Sequence, residues 1–254
     1  MKTRVFVKAR LILVLMLLTA LYFTGCKSTE TSAGSSQSER EQLVRSFVEA
    51  INDGNGSKAM ELIAEKMKYT ETYNDGTNHS LDKREDIQDY IQARISDDTK
   101  MKIEKIDFPD QFVTVQGRAS DYVTEIAGMT DGVGFSGKYG IKNGKIISVE
   151  FARNRDDERL LNERTGGIIG IGIELKNGEV AVTDCLEGMP AEKSGLKAGD
   201  IIEAVDGIKA DTMKHGIDEA AYRIRGTAGT TVRLTISRNG RTLDIESERV
   251  AAGK

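Results

Sequence analysis

Tryptophan is absent, and histidine and cysteine occur only twice each in 254 residues. Two histidines and two cysteines cannot supply a four-ligand zinc framework together with a catalytic set, and they cannot staple a disulfide fold. No metal and no cofactor is indicated. A stripe of Lys and Arg interleaved with aromatics is also missing, and the formal charge is only −4. Nucleic acid is therefore not an expected partner. The longest uncharged apolar stretch, Leu11 to Cys26, runs 16 residues, short of the roughly 18 to 20 that a membrane-spanning helix needs. What is present suffices for packed cores: 39% of residues are hydrophobic and 30% charged. The length favours two modest domains over one.

Met1 to Arg10 carries Lys2, Arg4, Lys8 and Arg10 without an acid, and Leu11 to Phe23 is uncharged and strongly apolar. That is the pattern of an export signal over residues 1–25. Its end, Phe23-Thr24-Gly25-Cys26, resembles the lipobox of bacterial lipoprotein precursors, with Phe23 where an aliphatic residue is usual. The resemblance implies a cleaved signal peptide, acylation (palmitate) of Cys26 and attachment to a membrane outside the cytoplasm. An uncleaved anchor and ordinary secretion are the alternatives. Lys27 after the lipidated position points to the outer membrane where the envelope has one. Loss of residues 1–25 leaves 32 Lys+Arg against 40 Asp+Glu, a net charge of −8, so attachment would rest on acyl chains and not on charge. Residues 26–38 read as a tether, since Lys27 to Ser38 holds seven Ser/Thr in twelve positions. With flexible-chain statistics it reaches about 20 Å. Cys185 then has no intramolecular partner, and a small, partly buried strand residue is the favoured reading over a functional thiol.

Behind the tether, Leu43, Val44, Phe47, Val48 and Ile51 form a helical stripe closed by Asp53-Gly54. A second short helix starts at Ser57 with Ala59, Leu62 and Ile63 on one face, and Lys68–Tyr73 reads as a strand. Asp82 and Glu85 open a third helix bearing Ile87, Tyr90, Ile91 and Ile95. Strand signals follow at Met101 and Ile103, Phe112 to Val115, Tyr122 to Ile126, Phe135 to Ile141 and Ile146 to Phe151. Helices followed by a run of antiparallel strands make an α+β, helix-on-sheet arrangement.

That order, with the stretch LVRSFVEAINDGNGSKAMELIAEKMKY, resembles the NTF2-like (SnoaL-like) superfamily over residues 39–152. The resemblance implies an α+β cone with a pocket in which members use Asp, His or Tyr to move protons. Tyr69, Tyr73, His79 and Asp121 are the pocket candidates, although no spacing links them. His79 lies in the polar piece Asn78-His79-Ser80 and reads as a solvated loop residue. Residues 153–164 (RNRDDERLLNER) form a charged connector, with Leu160 and Leu161 its small apolar pair; a short solvated helix is expected there.

Thr165 to Leu175 reads TGGIIGIGIEL. A dinucleotide loop needs G-x-G-x-x-G opening a helix, but Leu175 stands three after Gly172, and Ile171, Ile173 and Leu175 alternate as a strand. A glycine loop feeding a strand remains. With EGMPAEKSGLKAGDIIEAVDGIKA from 187 to 210 and IDEAAYRIRGTAGTTVRLTISRNG from 217 to 240, residues 165–250 resemble a PDZ domain of the kind found in C-terminal processing and HtrA-type proteases. The implied fold is a β-sandwich or partial barrel with two helices. By this resemblance a partner's extended C-terminus adds beside the strand that starts at Ile171. The loop Gly170-Ile171-Gly172-Ile173 gathers amides around its terminal carboxylate. A tight start to the strand is the plainer role for these glycines. Ile171 and Ile173 would line the pocket for the partner's last side chain, with Leu175 further along the strand and Ile217, Ala221 and Ile224 on the facing helix. In this family the helix's first position sets selectivity. Ile217 there implies apolar partner residues at both the last and third-from-last positions, and His215 reads as a loop residue just before the helix.

Neither a Ser/Lys domain after the PDZ-like segment nor a trypsin-like domain before it is legible, so no protease centre is expected. The leading expectation is a lipid-anchored envelope protein that captures apolar C-termini, as adaptor or scaffold for a separate envelope protease. The alternative is a first domain that binds or transforms a small molecule, as an isomerase or dehydratase, with the second domain as localiser or regulator.

Overall fold

The computed structural model describes residues 35–73 and 75–252. The export signal, Cys26 and most of the tether lie outside the described residues, and no described helix is long and apolar enough to cross a membrane.

The first lobe opens on α1 (Gln37–Asn52), started by a capping box: the Glu39 amide donates to Ser36 Oγ at 3.2 Å while the Ser36 amide donates to Glu39 Oε2 at 2.7 Å. Then come α2 (Gly56–Leu62), β1 (Ile63–Thr72), β2 (Asn78–Leu81), α3 (Arg84–Ser96), β3 (Lys100–Asp107), β4 (Phe112–Ser120), α4 (Tyr122–Ile126), β5 (Val133–Lys142) and β6 (Lys145–Arg153). One sheet runs β2-β1-β6-β5-β4-β3, antiparallel except where β1 pairs with β6. Val44, Phe47 and Ile51 of α1 and Ile87 and Ile91 of α3 close over Val113, Val115, Tyr139 and Val149 of the sheet. These helices on one sheet are the layers that the NTF2-like resemblance implied.

Three local expectations are corrected. Tyr122–Ile126 is not a strand but a short helix: Asp121 Oδ1 accepts from the Thr124 amide at 2.9 Å, and the Asp121 amide donates to Thr124 Oγ1 at 2.9 Å. His79 is not in a loop but in β2, exposed at the sheet edge and paired with Glu71. Ile63 does not end α2 but begins β1. The connector is helical over α5 (Arg155–Thr165), and its Leu161 is buried beside Met129 and Val133.

The second lobe contains β7 (Gly167–Ile168), β8 (Ile171–Lys176), β9 (Glu179–Cys185), α6 (Pro190–Lys193), β10 (Ile201–Val205), β11 (Ile208–Lys209), a 3-10 turn Ala210–Thr212, α7 (Gly216–Ile224), β12 (Thr231–Arg238), β13 (Arg241–Glu248) and β14 (Val250–Ala251). Its main sheet runs β13-β12-β10-β9-β8, while β7 pairs with β14. Val180, Val182, Ile202, Val205, Leu234 and Ile236 form the core under Ala220 and Ile224 of α7. Two polar devices hold it. Asp200 is buried and accepts both prongs of the Arg238 guanidinium at 2.6 and 2.7 Å. Arg249, also buried, donates to the Ile224 and Arg223 carbonyls at 2.9 Å each, where the cation suits the carbonyl end of α7.

Candidate functional site: an open sheet edge and a buried cavity

In the second lobe, β8 ends its sheet and, among the described residues, pairs only with β9. An edge strand with an unpaired row of amides and carbonyls is a template for another strand. The turn before it is shaped by glycine. Gly170 has φ +83°, and a Cβ there would stand 2.4 Å from Met189 Cβ. Its carbonyl accepts from the Leu186 amide at 2.9 Å, the Ile169 carbonyl accepts from Ala191 at 2.9 Å, and the Gly170 amide donates to no described backbone group outside the strands. A backbone amide left without such a partner at a glycine turn suits an anion. At Gly172 the ladder with β9 shifts register, and a Cβ would come within 2.2 Å of Asp184 Oδ1 and 2.4 Å of Thr183 Oγ1.

Ile171, Ile173 and Ile217 are half-buried and pack on the lobe's core, so the strand and α7 are brought side by side. Leu175 is 58% exposed and shares with Ile217 an open recess of about 420 Å³ floored by Val180 and Ile202. Ala221 is half-buried, whereas Ile224 is buried in the core and supports the helix from below. His215 stands at the N-cap of α7. Its ring stacks on Tyr122 at 4.0 Å and its Nε2 lies 3.2 Å from Asp98 Oδ2, so it joins the two lobes. Burial pushes the Cys185 thiol above its ordinary range, with Asp200 and Asp184 adding to the shift, which disfavours the reactive thiolate.

The first lobe encloses a cavity of about 60 Å³. Of the four sequence candidates, Tyr69 and Asp121 line it. Tyr73, just past the end of β1, and His79 on β2 are exposed, and the Asp121 carboxylate is taken up in capping α4. The sequence reading missed Glu71, Arg94, Thr99 and Arg153, and did not connect Tyr90 to the pocket. Glu71 is 1% exposed behind the cavity. The Tyr90 hydroxyl donates to Glu71 Oε2 at 3.2 Å and lies 2.6 Å from the Tyr69 hydroxyl. Tyr90 spends its hydrogen on Glu71, so Tyr69 donates to Tyr90. Burial pushes both phenols up, and the negative charge of Glu71 adds to the shift of each; both stay neutral. Arg94 and Arg153 flank the same carboxylate at 3.9 and 3.7 Å. The missed signal was the inward register Met67, Tyr69, Glu71 on β1 and the i, i+4 pair Tyr90 and Arg94 on α3.

The sequence model of the PDZ domain family matches residues 167–248. The second lobe is a PDZ domain, a module that takes peptides by strand addition. Among curated proteins, the chain is similar to a probable CtpA-like serine protease of Staphylococcus haemolyticus, 33% identical over 98 residues. It is likewise similar to a carboxyl-terminal-processing protease of Picosynechococcus, 45% identical over 76 residues. These matches cover 37% and 28% of this chain, and the chain spans only 19% and 18% of the length of those relatives. Over the first lobe, a solved NTF2-like protein of unknown function from Cytophaga hutchinsonii is 15% identical, with a TM-score of 0.37, covering 52% of this chain and 96% of that one.

Proposed function

We propose that the chain is an adaptor that captures the apolar C-terminal ends of extended polypeptides by adding them as a strand to β8. One observation carries this reading: among the described residues β8 is paired on one side only, with α7 beside it and a glycine turn at its start. Main-chain pairing supplies affinity. The half-buried Ile171, Ile173 and Ile217 supply a preference for apolar side chains at the last and third-from-last positions.

The place of action is the outer face of a cell membrane, with Cys26 lipidated and residues 27–38 lifting the lobes from the headgroups; in a two-membrane envelope it is the outer membrane. The apolar run before Cys26 and the basic start of the chain support this. The captured ends are passed to, or withheld from, a separate envelope protease. The experiment is a C-terminal peptide array probed with the full chain, alongside fractionation of cells carrying Cys26→Ser. Peptides ending in Leu, Val or Ala with an apolar third-from-last residue should dominate, and Cys26→Ser should leave the membrane fraction. A preference for Ser or Thr at the third-from-last position would refute the groove assignment, and membrane retention of Cys26→Ser would refute the anchor.

A further inference from the structure

The cavity of the first lobe is walled almost wholly by apolar groups, among them Met101, Phe135, Tyr139 and Val149, yet carries unspent polar groups among them. Thr99 is 5% exposed and its hydroxyl meets no partner among the described residues; a buried hydroxyl left so is destabilising. It lies three residues past the end of α3, its amide donating to the Arg94 carbonyl at 2.9 Å. Arg94 and Arg153 both line the cavity and approach Glu71 only to 3.9 and 3.7 Å, beyond hydrogen-bonding range. One carboxylate therefore sits between two guanidiniums and spends the hydrogen-bond fork of neither. Asp121 is the acid on the wall itself, and it is committed to the N-terminus of α4. Both arginine side chains are 23% exposed, so this polar end lies nearer to water than the apolar walls.

We propose that the cavity binds a short-chain monocarboxylate, with its carboxylate held by Arg94, Arg153 and the Thr99 hydroxyl and its alkyl end among Met101, Phe135 and Tyr139. A planar two-oxygen anion matches the guanidinium fork. The volume of about 60 Å³ limits the occupant to a few heavy atoms, and the apolar walls disfavour a dianion such as phosphate, which would lose its hydration without replacement.

The test uses the full chain and propionate, read by calorimetric titration and by the melting temperature. Its neutral isostere propionamide and sodium chloride at matched ionic strength are the controls. Propionate should bind one to one and raise the melting temperature, with propionamide at least tenfold weaker. Thr99→Val, which keeps the volume and removes the hydroxyl, should weaken propionate at least fivefold. Arg153→Met removes one guanidinium fork while Arg94 stays beside Glu71, so the buried carboxylate keeps a cation, and it should abolish binding. Hydrogen exchange in the lobe's central strands reports that both variants are folded. Absence of saturable binding, equal binding of propionamide, or binding unchanged in both variants would overturn the assignment and leave the cavity a packing void.

Discussion

Replacing Gly170 by alanine strains the turn before β8 in two ways that the structure separates. The left-handed φ of +83° costs a residue with a Cβ about 1–2 kcal/mol. The new methyl would also stand 2.4 Å from Met189 Cβ and 2.7 Å from its Cγ. Met189 cannot swing aside cheaply, because it is the N-cap of α6 and is followed by Pro190. Forcing a methyl into such a contact adds about 1–3 kcal/mol, so the total is about 2–5 kcal/mol. Gly188 supplies the control, with φ +76° and open space for 4 Å around the place its methyl would take, so Gly188→Ala should cost only the conformational part. Hydrogen exchange of the β12 amides, whose Val232, Leu234 and Ile236 are fully buried, reads the stability of the PDZ lobe for both variants. The expected result is that Gly170→Ala loses about 1–3 kcal/mol more than Gly188→Ala. Equal losses, or a Gly170→Ala variant within about 0.5 kcal/mol of the parent, would refute the reasoning.

Asp200→Asn should destabilise the PDZ lobe by about 3 kcal/mol, since it removes the buried charge and one of the two oxygens that accept from Arg238; urea unfolding checks this. Burial pushes the Asp200 carboxyl up, but the Arg238 and Lys197 hydrogen bonds outweigh it and hold the group below the usual carboxylate range. Its contribution is therefore fully present above about pH 4, the unfolded value, and is lost as pH falls through the folded one. The parent's acid-side loss of stability should accordingly be flatter in Asp200→Asn. Ile217→His should reverse selectivity, making peptides with Thr third from the end bind about fivefold better than those with Val, as measured by fluorescence anisotropy; an unchanged ranking would show that α7 does not read that side chain.

The edge strand β8 and its glycine turn were legible because their signals are local. The glycines at 170 and 172 and the block around Gly199-Asp200 each answer a backbone or burial demand at their own position, visible as residue type. The cavity's polar end was less so. In KYTET the alternation is weak, and Glu71 reads as solvated until β1 is known to turn Met67, Tyr69 and Glu71 to one buried face. Arg153 reaches Glu71 from the far end of β6, a contact no spacing reveals. Tyr122 to Ile126 is rich in strand-favouring residues, yet the reciprocal Asp121–Thr124 hydrogen bonds turn it into helix, tertiary context overriding propensity. His79 lies in an edge strand paired on one side only among the described residues, which leaves no apolar alternation to mark it.

Backbone amide shifts of the isotopically labelled chain, followed during titration with one leucine-ended peptide as the free acid and as its C-terminal amide, probe the β8 edge directly. The account predicts that amides from Gly170 to Lys176 move and gain protection, and that the free acid binds at least tenfold more tightly, the worth of a charge-assisted carboxylate contact. Amides there that ignore both peptides, or that bind acid and amide equally, would contradict it.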